Sequence, residues 1–182
     1  MFAKFFTPAL VAALAAVLVN ACAVDPDFHN DWHEELNFEC PSTEVIGSIY
    51  SVHSNKHDDR KFRFTCNPPP SSATPGDCAW TDELVNNWVE PVMYACPRNM
   101  VLAGVKSYFR TKSEDRRMHF KCCKDSNVRT MSCDLTEYLN DWDEELAYNV
   151  PHGQVLIGWF SAFSEKKGDR RHKMLECRYV SE

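Results

Sequence analysis

Three Asp-Arg dipeptides are the residues of this sequence best suited to specific chemistry, and they stand at 59–60, 115–116 and 169–170. A guanidinium group can fork onto a sulfate or a carboxylate through two parallel hydrogen bonds. Three copies would suit an anionic ligand such as a glycan, because repetition adds avidity. The same dipeptides also suit a scaffold, since a partly buried Asp–Arg pair can fix a turn. Their recurrence favours the scaffold, and both roles stay open here for Asp59, Arg60, Asp115, Arg116, Asp169 and Arg170.

Cations next to these dipeptides are a second set of candidates for ligand binding. One follows each Asp-Arg pair, and others lie in the polar turn before it. They would form a local basic rim on a chain whose formal net charge is −6. The predicted ligand-binding residues are Lys61, Arg117, Arg171, Lys112, Lys166 and Lys167.

Other chemistry finds little support in the sequence. It contains no G-x-S-x-G, H-E-x-x-H or P-loop motif, so we predict a protein that is not an enzyme. A mildly acidic chain is also a poor binder of nucleic acid. Acidic turns after two of the tryptophans leave calcium as a minor alternative, but no ordered Ca²⁺-loop spacing occurs. We therefore predict no metal site and no cofactor.

The dipeptides close three blocks that each open with Asn-x-Trp. The separation from Trp to Arg is 28 residues every time (60−32, 116−88, 170−142). Such a repeat predicts one pseudo-symmetric domain of three modules, about 28–66, 78–123 and 133–177. Trp32, Trp88 and Trp142 are predicted to anchor the core or the contacts between modules, because an indole buries a large area. Trp80 and Trp159 do not recur and are expected to be freer to lie at the surface.

Each module has the pattern of short antiparallel strands. Residues around Phe38, Tyr94 and Tyr148 alternate between apolar and polar, and alternation returns after each Asp-Arg pair. No stretch shows a capped helical period. The sequence thus predicts an all-β fold of three antiparallel modules related by a pseudo-threefold axis. We favour a β-prism-like arrangement, with three sheets facing a common core, and keep a β-trefoil as the alternative.

The repeats also suggest how the cysteines pair. Cys40 and Cys66 lie 26 residues apart (66−40), as do Cys96 and Cys122 (122−96), and the third module lacks both members of this pair. Equivalence of position then favours Cys78–Cys123 and Cys133–Cys177. The rival pairing, Cys123–Cys133 with Cys78–Cys177, remains an alternative.

The first 23 residues indicate the compartment. A basic start, an uncharged apolar run and Ala21-Cys22-Ala23 are typical of a secretory signal peptide cleaved after Ala23. The apolar run is too short to span a membrane. Cleavage leaves a single domain, 24–182, with an even set of eight cysteines (9−1), as expected of a disulfide-stapled protein outside the cell.

These motifs resemble the dermatopontin family of extracellular matrix proteins. The resemblance rests on Phe38-Glu39-Cys40-Pro41, on the segment 59–66 and on the segment 115–123 with its double cysteine. It implies a secreted, non-enzymatic matrix or adhesion protein that promotes matrix assembly or cell attachment. The implied partners are sulfated glycans and proteoglycans, collagen-type matrix proteins or cell-surface receptors, and an oligomer would be compatible. The alternative is a soluble lectin or agglutinin of innate defence.

Overall fold

A computed structural model describes residues 27–70, 76–124 and 128–181. The predicted signal peptide with Cys22 and the middle of the Pro-rich joint lie outside these residues. The described residues contain eleven strands and no helix, so the all-β prediction is confirmed. Within them there is accordingly no helix long and apolar enough to cross a membrane. The strands are β1 (Leu36–Glu39), β2 (Val45–Ser54), β3 (Asp59–Asn67), β4 (Asp77–Trp80), β5 (Val92–Ala95), β6 (Met100–Arg110), β7 (Asp115–Lys124), β8 (Val128–Leu135), β9 (Leu146–Asn149), β10 (Gln154–Ser164) and β11 (Asp169–Ser181).

The strands form three antiparallel sheets, each built on one long hairpin. The sheet orders are β1-β6-β7-β4, β5-β10-β11-β8 and β3-β2-β9. The first short strand of each sequence block joins the hairpin of the next block: β1 pairs with β6, β5 with β10, and β9 with β2. The exchange closes on itself after three steps, so no block folds on its own strands alone. This cyclic pairing supports the pseudo-threefold prediction, while the choice between prism and trefoil remains a prediction.

A bulge recurs where the exchanged strand crosses each hairpin. The register shifts between Ile46 and Ser48, between Leu102 and Gly104, and between Leu156 and Gly158. A Cβ at Gly104 would lie 2.9 Å from the Phe38 carbonyl oxygen, and one at Gly158 would lie 2.7 Å from that of Tyr94. Glycine is required at both positions because the exchanged backbone passes too close for a side chain.

The core lies between the three sheets. Its largest fully buried side chain is that of Trp159, which packs against Phe62, Phe64 and Phe120 at ring-centroid distances of 6.3, 6.3 and 5.8 Å. The prediction that Trp159 is freer to lie at the surface is therefore wrong. Trp159 stands at the repeat position of Ile49 and Val105. Its extra volume supplies the aromatic bulk that is missing at Met174, which stands at the repeat position of Phe64 and Phe120.

Four disulfides staple the sheets. They join Cys40 to Cys66, Cys96 to Cys122, Cys78 to Cys123 and Cys133 to Cys177. These are the four pairs that the repeats favour, and the rival pairing does not form. The last two bonds fasten β4 and β8, the outer strands that the sheet of β2 and β3 lacks. On the chain-entropy model, a disulfide that closes a loop as long as those between these paired cysteines raises the free energy of unfolding by roughly 3–4 kcal/mol.

Candidate functional site

The Asp-Arg residues form a closed ring of ion pairs between the modules. Each arginine reaches the aspartate of another block rather than its neighbour in sequence: Arg116 to Asp59, Arg170 to Asp115, and Arg60 to Asp169. The Nε–Oδ1 distances are 2.7, 2.7 and 2.5 Å. Each Nη2 donates to the second carboxylate oxygen, which makes all three contacts bidentate. All six side chains are buried.

The remaining polar atoms of the ring are also used by the scaffold. Each Nη1 donates to a serine of its own hairpin, and each Nη2 donates to a carbonyl oxygen of the block whose aspartate it binds. Each aspartate accepts the backbone N–H of His33, Val89 or Asp143 at 2.8 Å. Those three residues have φ of 65°, 61° and 66°, so the carboxylates fix a left-handed turn three times. These groups hold the modules together and present no free donor set to a ligand.

The asparagine of each Asn-x-Trp motif is the buried member of that motif. The Nδ2 of Asn30 donates to the Arg60 carbonyl at 3.1 Å, and its Oδ1 accepts the N–H of Phe62 at 2.9 Å. Asn86 and Asn140 make the same two contacts in their own blocks. Buried backbone groups need partners, and a short amide side chain can satisfy two of them.

The recurring tryptophans lie outside the buried core. Trp32, Trp88 and Trp142 are half-buried, and their predicted role in the contacts between modules stays a prediction. A cation of the same block lies over the ring of each indole. Lys61 Nζ lies 5.1 Å from the ring of Trp32, and the Arg171 guanidinium lies 4.8 Å from the ring of Trp142. Trp88 faces two guanidinium groups, Arg110 at 4.3 Å and Arg117 at 5.7 Å.

The hairpin turns bring the predicted ligand-binding residues to one end of the molecule. Asp58, Glu114 and Gly168 end the turns 55–58, 111–114 and 165–168, and all three line one small cavity of about 30 Å³ above the ion-pair ring. Lys112, Lys166 and Lys167 stand in these turns. We call this surface the axial rim and define it as the three turns with Trp32, Trp88 and Trp142 and the cations stacked on them.

The cations of the axial rim differ in how far they are available. Lys61, one of the predicted ligand-binding residues, is buried between the rings of Phe28 and Trp32 and pairs with Asp31 at 3.4 Å. Lys167 is exposed but bonds Asp143 at 2.5 Å. Arg110 and Lys112 are exposed.

Arg117 and Arg171 are partly exposed. Arg117 donates its Nε to the Asn86 carbonyl, and its guanidinium carbon lies 5.7 Å from the centre of the Trp88 ring. Arg171 lies between the rings of Tyr138 and Trp142.

One junction of the ring is polar where the other two are apolar. His53 stands at the repeat position of Phe109 and Phe163, and its buried ring nitrogens lie 3.3 Å from Asp169 and 3.8 Å from Asp143. Burial raises the pKa of Asp169. The contacts with His53 and Arg60 outweigh this effect and hold that pKa well below its ordinary value.

A second buried histidine lies in the third module. His172 Nδ1 accepts the indole N–H of Trp159 at 3.0 Å. Burial is the main reason that its pKa falls well below the ordinary value, and the nearby Arg60 adds to the effect. The imidazole is therefore neutral at physiological pH, and the acceptor that Trp159 needs is kept. The inner face of this module is fully buried at His172 and Met174.

No group of three or more His, Cys, Asp or Glu residues placed to hold a metal ion occurs in residues 27–70, 76–124 and 128–181. These residues include the acidic turns after Trp32 and Trp142, for which the sequence offers calcium as a minor alternative. Metal binding finds no geometric support there.

Comparison with known proteins assigns the family. A family model described as Dermatopontin matches residues 30–181. The chain is 35% identical to the hemagglutinin/amebocyte aggregation factor of Limulus polyphemus, over 91% of the chain and 95% of that protein. It is 30% identical to dermatopontin of Biomphalaria glabrata, over 80% of the chain and 95% of that protein. It is 31% identical to dermatopontin of Homo sapiens, over 84% of the chain and 79% of that protein.

No solved structure matches the chain. The family model and these relatives indicate a non-enzymatic protein of matrix or agglutinin type. The disulfide-stapled fold fits an extracellular protein. The chain belongs to the dermatopontin family.

Proposed function

We propose that this protein is secreted and binds sulfated or carboxylated glycans of the extracellular matrix at its axial rim. The observation that supports the proposal is the partly exposed guanidinium on two of the recurring indoles, Arg117 at Trp88 and Arg171 at Trp142. A sugar ring can pack on an indole while a neighbouring guanidinium holds its sulfate or carboxylate.

The charge distribution favours the second module as the centre of binding. The hairpin 100–124 contains seven Lys and Arg against two Asp and Glu, a net charge of +5 (7−2), although the whole chain has −6. Arg110 and Lys112 are exposed at its turn, and Arg110 with Arg117 lies over Trp88. A local field of this sign attracts polyanions to an otherwise acidic protein.

Glycan binding at the axial rim would give the protein a role in the extracellular matrix that requires no catalysis. A protein that holds proteoglycan chains at one end can support matrix assembly or cell adhesion. Collagen-type proteins and cell-surface receptors are further partners of the same proposal.

Heparin, a sulfated glycan, is the probe for the test. The wild-type protein should be retained on immobilised heparin and elute with salt, and the pair Arg110→Ala with Arg117→Ala should elute much earlier. The matched control is Arg63→Ala with Arg178→Ala, which removes the same charge from exposed positions on β3 and β11, away from the turns. Equal losses of heparin retention in the two double variants would show that net charge alone, and not the axial rim, causes the retention. No retention of the wild type at physiological salt would end the proposal.

A soluble agglutinin of innate defence is the second candidate. The supporting observation is the 35% identity with a protein named hemagglutinin/amebocyte aggregation factor. Agglutination of red cells that a neutral sugar inhibits, with little dependence on salt, would favour this candidate over a polyanion binder.

A further inference from the structure

The outward faces of the three sheets differ although their inner faces are alike. One cross-strand row in each sheet makes the comparison direct, because its members hold equivalent repeat positions. The rows are Ala147–Tyr50–Arg63, Asn37–Lys106–His119 and Met93–Phe160–Lys173. The third row is the one that places two large apolar side chains side by side.

The sheet of β10 and β11, with the segment after β8, holds most of the large hydrophobic side chains that are exposed in the described residues. Six large hydrophobic side chains are exposed in the described residues, and five of them belong to this sheet or to the segment after β8: Met93, Met131, Leu135, Tyr138 and Val180. Met93 is 73% exposed, Leu135 49% and Tyr138 41%. These three line an open groove of about 290 Å³ with Phe160 and Lys173. A cluster of this kind marks an interaction surface, since monomeric proteins rarely leave apolar patches uncovered.

We propose that this groove is where two copies of the chain associate. The charges beside it match a second copy of the same face. Lys173 lines the groove, and its Nζ lies 3.5 Å from Oε2 of Glu137 in the same chain, whose side chain is 98% exposed. A face that carries both signs next to its apolar residues complements itself when turned about a twofold axis. In the dimer each Glu137 exchanges the Lys173 of its own chain for that of the other copy, while Met93 and Leu135 pack against their counterparts.

The dimer does not rest on the proposed glycan site, although it would double that site. The groove lies on the outward face of one sheet and meets the axial rim only at Tyr138, on which Arg171 stacks at 4.1 Å, whereas Arg110 and Arg117 of the heparin test lie over Trp88 in the second module. Two rims in one particle would let a single dimer bridge two polyanion chains. Loss of the dimer should therefore leave retention on heparin in place and reduce bridging between chains.

Sedimentation velocity of the disulfide-intact mature protein, over about 1 to 100 µM, is the test, because weak association is measured in that range. The wild type should shift from monomer to dimer with concentration. Met93→Asp with Leu135→Asp should stay monomeric. Asn37→Asp and Ala147→Asp are the matched controls, since they place a carboxylate at the positions equivalent to Met93 in the other two sheets. Both control variants should dimerise normally.

Charge reversal tests the orientation. Glu137→Lys should weaken association by about tenfold or more through like-charge contact, and Lys173→Glu added to it should restore the dimer. A wild type that remains monomeric throughout, or a dimer that survives the Met93 and Leu135 changes, would overturn the proposal. A monomer that binds phosphatidylserine vesicles through the same residues would also overturn it and would assign the groove to a lipid surface.

Discussion

Arg116 and Asp59 lie 57 residues apart in sequence and form a buried, bidentate ion pair with two N–O distances of 2.7 Å. The pair joins the hairpin of the second module to that of the first, and two equivalent pairs complete the ring. A buried ion pair adds little stability over an apolar contact, but removing one partner leaves a charge without compensation. The ring therefore makes the three modules dependent on one another.

Replacing Asp59 by Asn should destabilise the whole domain. The change leaves the Arg116 guanidinium buried without its carboxylate, a loss of roughly 3–5 kcal/mol in the free energy of unfolding. Urea denaturation with the disulfides intact measures it. Glu39→Gln is the control, because its pair with Lys121 at 3.2 Å is solvent-exposed and should contribute less than about 1 kcal/mol. Similar losses in both variants would contradict a special role for the ring.

The sequence predicted the inner elements of this fold better than its connections. Alternation and equal spacing identify the long hairpins and favour the cysteine pairs, because both depend on position within one block. The pairing of β1 with β6 depends on contacts between blocks, and no periodicity records which edge a short strand joins. The sequence likewise does not reveal that Arg60 and Asp169 close the ring, because this pair also joins two different blocks.

The tryptophans show how an argument from residue size can fail. Trp32 recurs, yet the buried residue of its motif is Asn30. Its side-chain amide is buried because it satisfies the backbone carbonyl of Arg60 and the backbone N–H of Phe62. Trp159 does not recur and is buried, since the third module fills its share of the core differently. Its alignment with Ile49 and Val105, both apolar, is the signal that would have placed it inside.

A third copy of the inner disulfide should be accepted by the third module. The two native bonds at this position have Cα–Cα distances of 5.7 and 5.8 Å, and the equivalent residues here are Val150 and Glu176. Tyr148 donates its hydroxyl to Glu176, whereas the equivalent Tyr94 contacts Cys122, so a cysteine at 176 retains a sulfur partner for the tyrosine. Val150→Cys with Glu176→Cys should oxidise and stabilise the domain by roughly 3 kcal/mol.

Thiol titration and urea denaturation of this double variant test the expectation. The single variant Val150→Cys is the control, because it adds a thiol without a partner. Two free thiols in the folded double variant would show that the third module departs from the repeat geometry at this position.

Acidification should destabilise the protein through His172 before it reaches the carboxylates. The pKa of His172 lies far below its unfolded value of about 6.5, so the unfolded chain binds a proton that the folded chain does not. Stability is then complete above about pH 6.5 and falls below it by up to about 1.4 kcal/mol per pH unit. Asp169 adds its own loss only below about pH 4, because its pKa is lowered in the folded state from an unfolded value near 3.9.

Denaturation midpoints at pH 7, 6 and 5 separate these contributions. His172→Gln keeps an acceptor for the Trp159 indole and removes the titrating ring, so its stability should change less over that range. An unchanged pH slope in this variant would assign the loss to other groups. His152, which is exposed in the turn before β10, supplies the control substitution His152→Gln.

His53→Phe should give the polar junction the side chain that the other two junctions already use. Phe109 and Phe163 pack against Arg116 and Arg170 at 5.6 and 5.2 Å, whereas the buried ring nitrogens of His53 lie 3.3 Å from Asp169 and 3.8 Å from Asp143 without the geometry of a hydrogen bond. Removing an unsatisfied buried polar group should keep or raise the free energy of unfolding at neutral pH, by up to about 1–3 kcal/mol.

The reverse exchange, Phe109→His, provides the comparison. At that junction the ring stacks on His33 at 4.5 Å, where the first junction offers Asp143 instead. The new imidazole lacks the second carboxylate that His53 faces, so this variant should be destabilised. Should His53→Phe instead lose stability while Phe109→His does not, the contacts of His53 with Asp143 and Asp169 would be a net attraction that closes the ring, and the polar junction would stabilise the fold.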